Sequence, residues 1–165
     1  MNDVTKYVDV RVPLRTAYNQ WTQVESFPHF MSGVVAVQQL DERHTHWVTE
    51  VAGSRREFDA EIVEQLPDER IAWRSIDGDV RHSGMVMFEA LADGGTRVTV
   101  DLAWEPDGLV QKAGGAIGMD SLQVKADLER FREFIEERGV ETGQWRGRIP
   151  EPGSGSGEGE AAFRG

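Results

Sequence analysis

From Val34 to Trp104 the chain is written almost continuously in period two, and this run constrains the fold more than any other feature. Val34 to Leu40 is one strand-like segment, and His44 to Ala52 is the next, after the turn at Asp41-Glu42-Arg43. Arg56 to Leu66 follows Gly53-Ser54 and places Phe58, Ala60 and Ile62 on one face. After Pro67-Asp68-Glu69, Ile71 and Trp73 share a face of a fourth segment that stops at Asp77-Gly78-Asp79. Val80 to Leu91 sets Gly84, Val86 and Phe88 on one side, and the Asp93-Gly94-Gly95 hairpin signal leads into Val98, Val100, Leu102 and Trp104. Short turns and strict alternation predict an antiparallel sheet that is apolar on one face and wet on the other.

The flanks complete the plan. Tyr7, Asp9 and Arg11 alternate with Val8, Val10 and Val12 in a first strand; Pro13 then opens a segment whose Ala17, Trp21 and Val24 recur at helical spacing. Phe27-Pro28-His29-Phe30-Met31 reads as an apolar bend. Past Pro106-Asp107-Gly108, the stripe Ala113, Ile117, Val124, Leu128, Phe131, Ile135 predicts one long amphipathic helix with its stop at Gly139. Gly114, Gly115 and Gly118 weaken its first half by about 1 kcal/mol each, as where something bulky approaches the backbone. The fold class expected is α+β, with seven antiparallel strands curled around the last helix and a cavity where the two diverge. Residues 1–148 form one domain in this reading. Residues 149–165, two prolines and a Gly/Ser/Glu run ending in Ala161-Ala162-Phe163-Arg164, form a flexible tail.

Composition narrows the chemistry. A chain of 165 residues buries enough surface to need neither disulfide nor structural metal. With no cysteine there is no thiol nucleophile and no thiolate metal site. Twenty-nine acidic against 18 basic residues give a net charge of -11, which makes nucleic acid and anionic membranes poor partners. The first residues lack the basic flank and apolar run of a signal peptide, and no stretch reaches the length of a membrane helix, so a cytoplasmic protein is expected.

Several motifs carry a resemblance. Val12-Pro13-Leu14-Arg15-Thr16-Ala17-Tyr18-Asn19-Gln20-Trp21 and Glu25-Ser26-Phe27-Pro28-His29-Phe30-Met31 are two of them. Others are Pro67-Asp68-Glu69-Arg70-Ile71-Ala72-Trp73-Arg74-Ser75, Gly94-Gly95-Thr96-Arg97-Val98-Thr99-Val100 and Asp127-Leu128-Glu129-Arg130-Phe131-Arg132-Glu133-Phe134-Ile135-Glu136. Over about residues 3 to 140 the chain resembles the SRPBCC or START-like (Bet v 1-like) superfamily. It is most similar to the bacterial polyketide cyclase/dehydrase group, neighbour to the coenzyme Q-binding START domains. The resemblance implies a helix-grip fold, with two short helices after the first strand, and a deep apolar cavity for lipids, quinones or aromatic polyketides. These are turn and packing motifs, not catalytic signatures.

Candidate site residues follow from alternation. His82 shares a face with Gly84, Val86 and Phe88; it reads either as a general acid/base or ligand-orienting group, or as a strand-end histidine bonded to backbone or water. Gly84 beside it is expected to enlarge the space. Ser75 follows Ile71 and Trp73 inward but has no nucleophile elbow around it, so a polar pocket contact suits it, as it does Tyr18 on the first helix. The walls expected are Phe27, Phe30, Phe58, Trp73 and Val86, with Phe88, Val100, Leu102, Ile117 and Val124 completing them. The mouth is expected near Phe27-Phe30, Asp77-Asp79 and Gly114-Gly118. His44-Thr45-His46 with Glu50 is conceivable as a metal site, but a solvated pair at a hairpin is the simpler reading. Glu50, Glu57, Asp59, Glu61 and Asp101 with Arg56, Arg74 and Arg97 read as the wet face. No cofactor motif is present. Three functions are open: an apolar small-molecule binder, a cyclase or dehydratase using His82 and Ser75, and a non-catalytic accessory protein.

Overall fold

In the computed structural model, residues 2–51, 53–78, 81–104 and 121–150 are described. The period-two runs become strands β1 (Asn2–Val10), β2 (Val34–Gln39), β3 (His44–Val51), β4 (Ser54–Leu66), β5 (Arg70–Gly78), β6 (His82–Ala90) and β7 (Thr96–Trp104). Each pairs antiparallel with its sequence neighbour from β2 to β7, and β1 closes on β7, in the order β1-β7-β6-β5-β4-β3-β2. Helix α1 (Leu14–Trp21) and the 3-10 helix Val24–His29 carry the chain from one sheet edge to the other. The last helix, α2, is described over Ser121–Arg138; Ala113, Ile117 and the glycines 114–118 lie outside the described residues. Among the described residues no helix is long and apolar enough to cross a membrane. This is the expected curled sheet gripping a helix.

The alternation also explains why the sheet packs on one side only. Val8, Val10, Val86, Val98 and Val100 are buried, and from α2 the stripe Val124, Leu128, Phe131, Ile135 lies against them. Phe131 is fully buried, its ring 5.4 Å from Trp21 and 5.1 Å from Phe30. Gly139, at φ +75°, closes α2 where expected: its N–H bonds to the Ile135 carbonyl at 2.8 Å.

Two bulges reset which side chains point inward. The β4–β5 register shifts between Asp59 and Ala60, leaving Ile76 bulged out and exposed, and again between Ile62 and Glu64. After the second shift Gln65, not Glu64, continues the inner face begun by Phe58, Ala60 and Ile62; Glu64 takes the opposite face, where it is buried in a two-point ion pair with Arg70.

The folded unit also continues past the expected boundary at 148. Residues 140–150 form a strap over α1 that ends by pairing with β4. Gln65 N donates to Ile149 O (2.7 Å), Ile149 N donates to Gln65 O (2.8 Å), and Ile149 is buried. Beneath the strap Asn19 and Gln20 are fully buried, their amides satisfied by strap residues. Asn19 Nδ2 donates to Glu141 (2.8 Å), and its Oδ1 accepts from Arg146 (2.6 Å). Gln20 Oε1 accepts the Thr142 N–H (2.9 Å) while its Nε2 donates to the Thr142 hydroxyl (3.0 Å). Thr22 Oγ1 accepts the Trp145 N–H at 3.1 Å. Helix α1 is therefore sandwiched, apolar side on the sheet and polar side under the strap. Residues 151–165 lie outside the described residues.

Candidate functional site: two cavities and a tryptophan wall

The curled sheet and the elements laid over it bound a half-open cavity of about 650 Å³. Its floor is the sheet's inner face, at Trp47, Ile62, Ile71, Trp73 and Val86. Its roof is the 3-10 helix, with Phe27, and the strap, with Thr142, Gln144 and Trp145. Gln65, placed inward by the bulge, and Thr45 add polar points, and Glu25, Asp41 and Glu42 lie among its lining groups. A second space of about 80 Å³ lies under α2, bounded by Phe30, Phe58, His82, Val100, Leu102 and Val124 among others. Trp21, Trp47 and Trp73 line both.

His82 faces inward as alternation predicts, yet it is not at a wet rim. It is only 6 % exposed, and Nε2 accepts a hydrogen bond from Trp73 Nε1 at 3.0 Å. An indole N–H can only donate, so this bond requires a lone pair on Nε2 and places the imidazole proton on Nδ1. Nδ1 itself has no hydrogen-bond partner of good geometry, although the Ala103 backbone pulls weakly on the ring. Burial dominates and lowers the pKa to about 4, so the ring is neutral at ordinary pH. A general base needs a free lone pair; the one here is occupied.

The other polar candidates are likewise tied down. Ser75 Oγ accepts the backbone N–H of His82 at 2.9 Å, extending the β5–β6 pairing beyond Arg74–Ser83. The Tyr18 hydroxyl accepts from Gln65 Nε2 at 3.1 Å, its ring stands edge-on to Phe88 at 5.4 Å, and burial pushes its phenol pKa up. Tyr18, Ser75 and Phe88 are not among the residues lining either cavity. Gly84 does not widen the space. A Cβ there would stand 2.7 Å from Trp73 Cε2 and 2.8 Å from Leu102 Cδ2, so the missing side chain makes room for the indole, not for a ligand. Of the residues expected in the walls, the structure sets Phe27, Trp73 and Val86 on the larger cavity. It sets Phe30, Phe58, Trp73, His82, Val100, Leu102 and Val124 on the smaller. Ile117 lies outside the described residues. Sequence reasoning missed Gln65, hidden by the bulge, and Trp145, which sits in a segment without periodicity. Trp47 is absent from the expected walls as well, although it alternates with His44 and His46 along β3.

The outer face is paired charge. Arg97 bonds Asp9 at 2.8 Å and draws its carboxyl pKa down; Arg74 meets Glu61 at 3.3 Å and Arg55 meets Glu50 at 3.4 Å. His44 sits on Asp41 (2.8 Å), and His46 lies between Asp59 (2.6 Å) and Glu57 (3.1 Å). Among the described residues no group of three or more such side chains is arranged to hold a metal ion. The hydrogen bond to Asp59 raises the pKa of His46. Its contribution to stability is thus complete below the ordinary histidine value and lost as pH rises through the raised folded one. His46→Gln is expected to lower the melting temperature at pH 6 and to change it little at pH 9. The effect stays within about 1 kcal/mol because the ring is a third exposed; equal losses at both pH values would show the pairs to be inert.

A curled sheet gripping a helix, with a half-open chamber beside it, defines a helix-grip fold. The family pattern described as "Polyketide cyclase / dehydrase and lipid transport" matches residues 10–131, and the chain belongs to that family. It is similar to an uncharacterized 17.2 kDa protein of Streptomyces lincolnensis (from the melC2-rnhH intergenic region), 50 % identical over 90 % of this chain and 99 % of that one. Among solved structures it is similar to DR_A0006 from Deinococcus radiodurans: 27 % identity, TM-score 0.69, covering 84 % of this chain and 99 % of that one. A START superfamily protein from Mycobacterium smegmatis shares the fold at 17 % identity and TM-score 0.67, over 82 % of this chain and 98 % of the other.

Proposed function

We propose that this protein binds an apolar small molecule in the larger cavity. The observation that carries the reading is the chamber itself: about 650 Å³, with Trp21, Phe27, Trp47, Ile71 and Trp73 among its apolar walls and polar groups that include Gln65, Thr45, Glu25 and Asp41 between them. That combination, apolar walls for affinity and polar groups for orientation, is what small-molecule sites share. A ligand burying about 300 Å² of apolar surface there gains about 7 kcal/mol before the costs of association. The family's description supports the same reading. The cyclase or dehydratase alternative draws on that description too, but the His82 lone pair on Nε2 and the Ser75 oxygen already accept hydrogen bonds within the protein.

The reading is tested with the neutral fluorophore N-phenyl-1-naphthylamine. Fluorescence is expected to rise and saturate with the parent protein, and Ile71→Trp, which adds bulk at the cavity floor, should weaken binding at least about tenfold. Equal saturation of the two proteins would remove the larger cavity as the site. Organic extraction and native mass spectrometry of the purified protein identify whatever it retains.

A further inference from the structure

Three of the described residues are common to the two cavities. Trp21, Trp47 and Trp73 border both. The rings of Trp47 and Trp73 stack at 6.5 Å with planes 20° apart, and Trp47 stacks on Phe58 at 5.7 Å and 10°. Within this wall Trp73 is held from two sides. Its indole fills the space over Gly84, against Leu102, and its N–H is fixed to His82 Nε2 at 3.0 Å. His82 is in turn gripped by Phe58, edge-on at 5.8 Å, and by Ser75 through its backbone N–H. A buried imidazole whose only hydrogen bond of good geometry goes to one indole works as a latch for that ring. The space behind is about 80 Å³ and bordered by apolar side chains from β4, β7 and α2, so an apolar ligand end would fit it better than water.

We propose that Trp73 is the residue that sets how deeply a ligand penetrates, with His82 as its positioning residue. While the indole lies on Gly84 the ligand stops in the larger cavity; with the indole absent or released, the two spaces form one chamber reaching under α2. This rests on the binding reading above and adds to it which side chain limits ligand length.

The experiment measures displacement of N-phenyl-1-naphthylamine by straight-chain 1-alcohols of eight to sixteen carbons. In the parent, each added methylene should tighten binding about fourfold until the chain end meets the Trp73 indole, after which affinity stops rising. Trp73→Ala is expected to move that plateau to longer alcohols by several carbons. Trp73→Phe keeps a ring without an N–H and should move it less. His82→Phe retains the bulk but loses the acceptor, and should shift the plateau although Trp73 is present; His82→Gln keeps an acceptor and should restore the parental plateau. A merely structural histidine would lower the melting temperature in both His82 variants and leave the plateau where it was. An unmoved plateau in Trp73→Phe and His82→Phe overturns the proposal and leaves the binding reading intact. A parent that binds neither probe nor alcohol overturns both.

Discussion

Acidifying this protein from pH 7 to about pH 4 is expected to remove about 3 kcal/mol of stability through His82 alone. The sign follows from where the protons go. In the unfolded chain the imidazole titrates at its ordinary value near 6.5, whereas burial holds the folded one at about 4. Between those two values the unfolded state carries a proton that the folded state refuses, so stability rises with pH across the window and falls as pH is lowered through it. Protonating the folded ring would also put an N–H on Nε2, facing the Trp73 N–H that now donates to it. The check is denaturant unfolding at several pH values on the parent and on His82→Phe. The variant is less stable at every pH because the buried indole N–H loses its acceptor, and that deficit should narrow on acidification, since only the parent has the linked loss. Parallel curves for the two proteins would show that His82 titrates normally.

The second large effect lies in the strap. Ile149→Ala is expected to cost about 2–4 kcal/mol, the usual loss for a buried isoleucine. Gln20→Ala is expected to cost about 1–3 kcal/mol by stranding the N–H and hydroxyl of Thr142. Ending the chain after Arg138 removes these contacts together with Trp145 and Gln144 from the cavity roof, and should abolish probe binding along with much of the stability. Ending it after Pro150 should change neither. A chain stopped at Arg138 that melts with the parent would mean the strap is only draped on the surface.

These two sites also mark what could and could not be read from residues alone. The strands were legible because the sheet is wet on one side, so alternation records burial directly; the α2 stripe through Val124, Leu128, Phe131 and Ile135 was legible for the same reason at helical period. His82 and Trp73 were both recognised as inward-facing. Their bond was not, because an inward glycine beside an inward tryptophan reads as a gap until the indole is seen to occupy it. The bulge that exchanges Glu64 for Gln65 leaves no mark in composition. The strap was invisible on different grounds. It has no repeat, and apart from Trp145 and Ile149 it is held by polar and charged groups such as Glu141, Thr142 and Arg146 meeting Asn19, Gln20 and Thr22, which on an amphipathic helix look like its solvent side.

The strap has a kinetic consequence. Asn19 and Glu141 are 122 residues apart, and Gln20 and Thr142 equally so, while β1 finds its partner β7 some ninety residues downstream, as in Asp9 with Arg97 at a separation of 88. The first helix therefore waits on the last segment, and the first strand on the seventh, before either is enclosed. Such a chain has high contact order, and folding that depends on distant pairings is slow. The β2–β7 meander, whose neighbours are joined by short turns, is the part able to assemble early. Docking of β1, α1 and the strap is expected to come late, which would give the larger cavity its roof only near the end of folding.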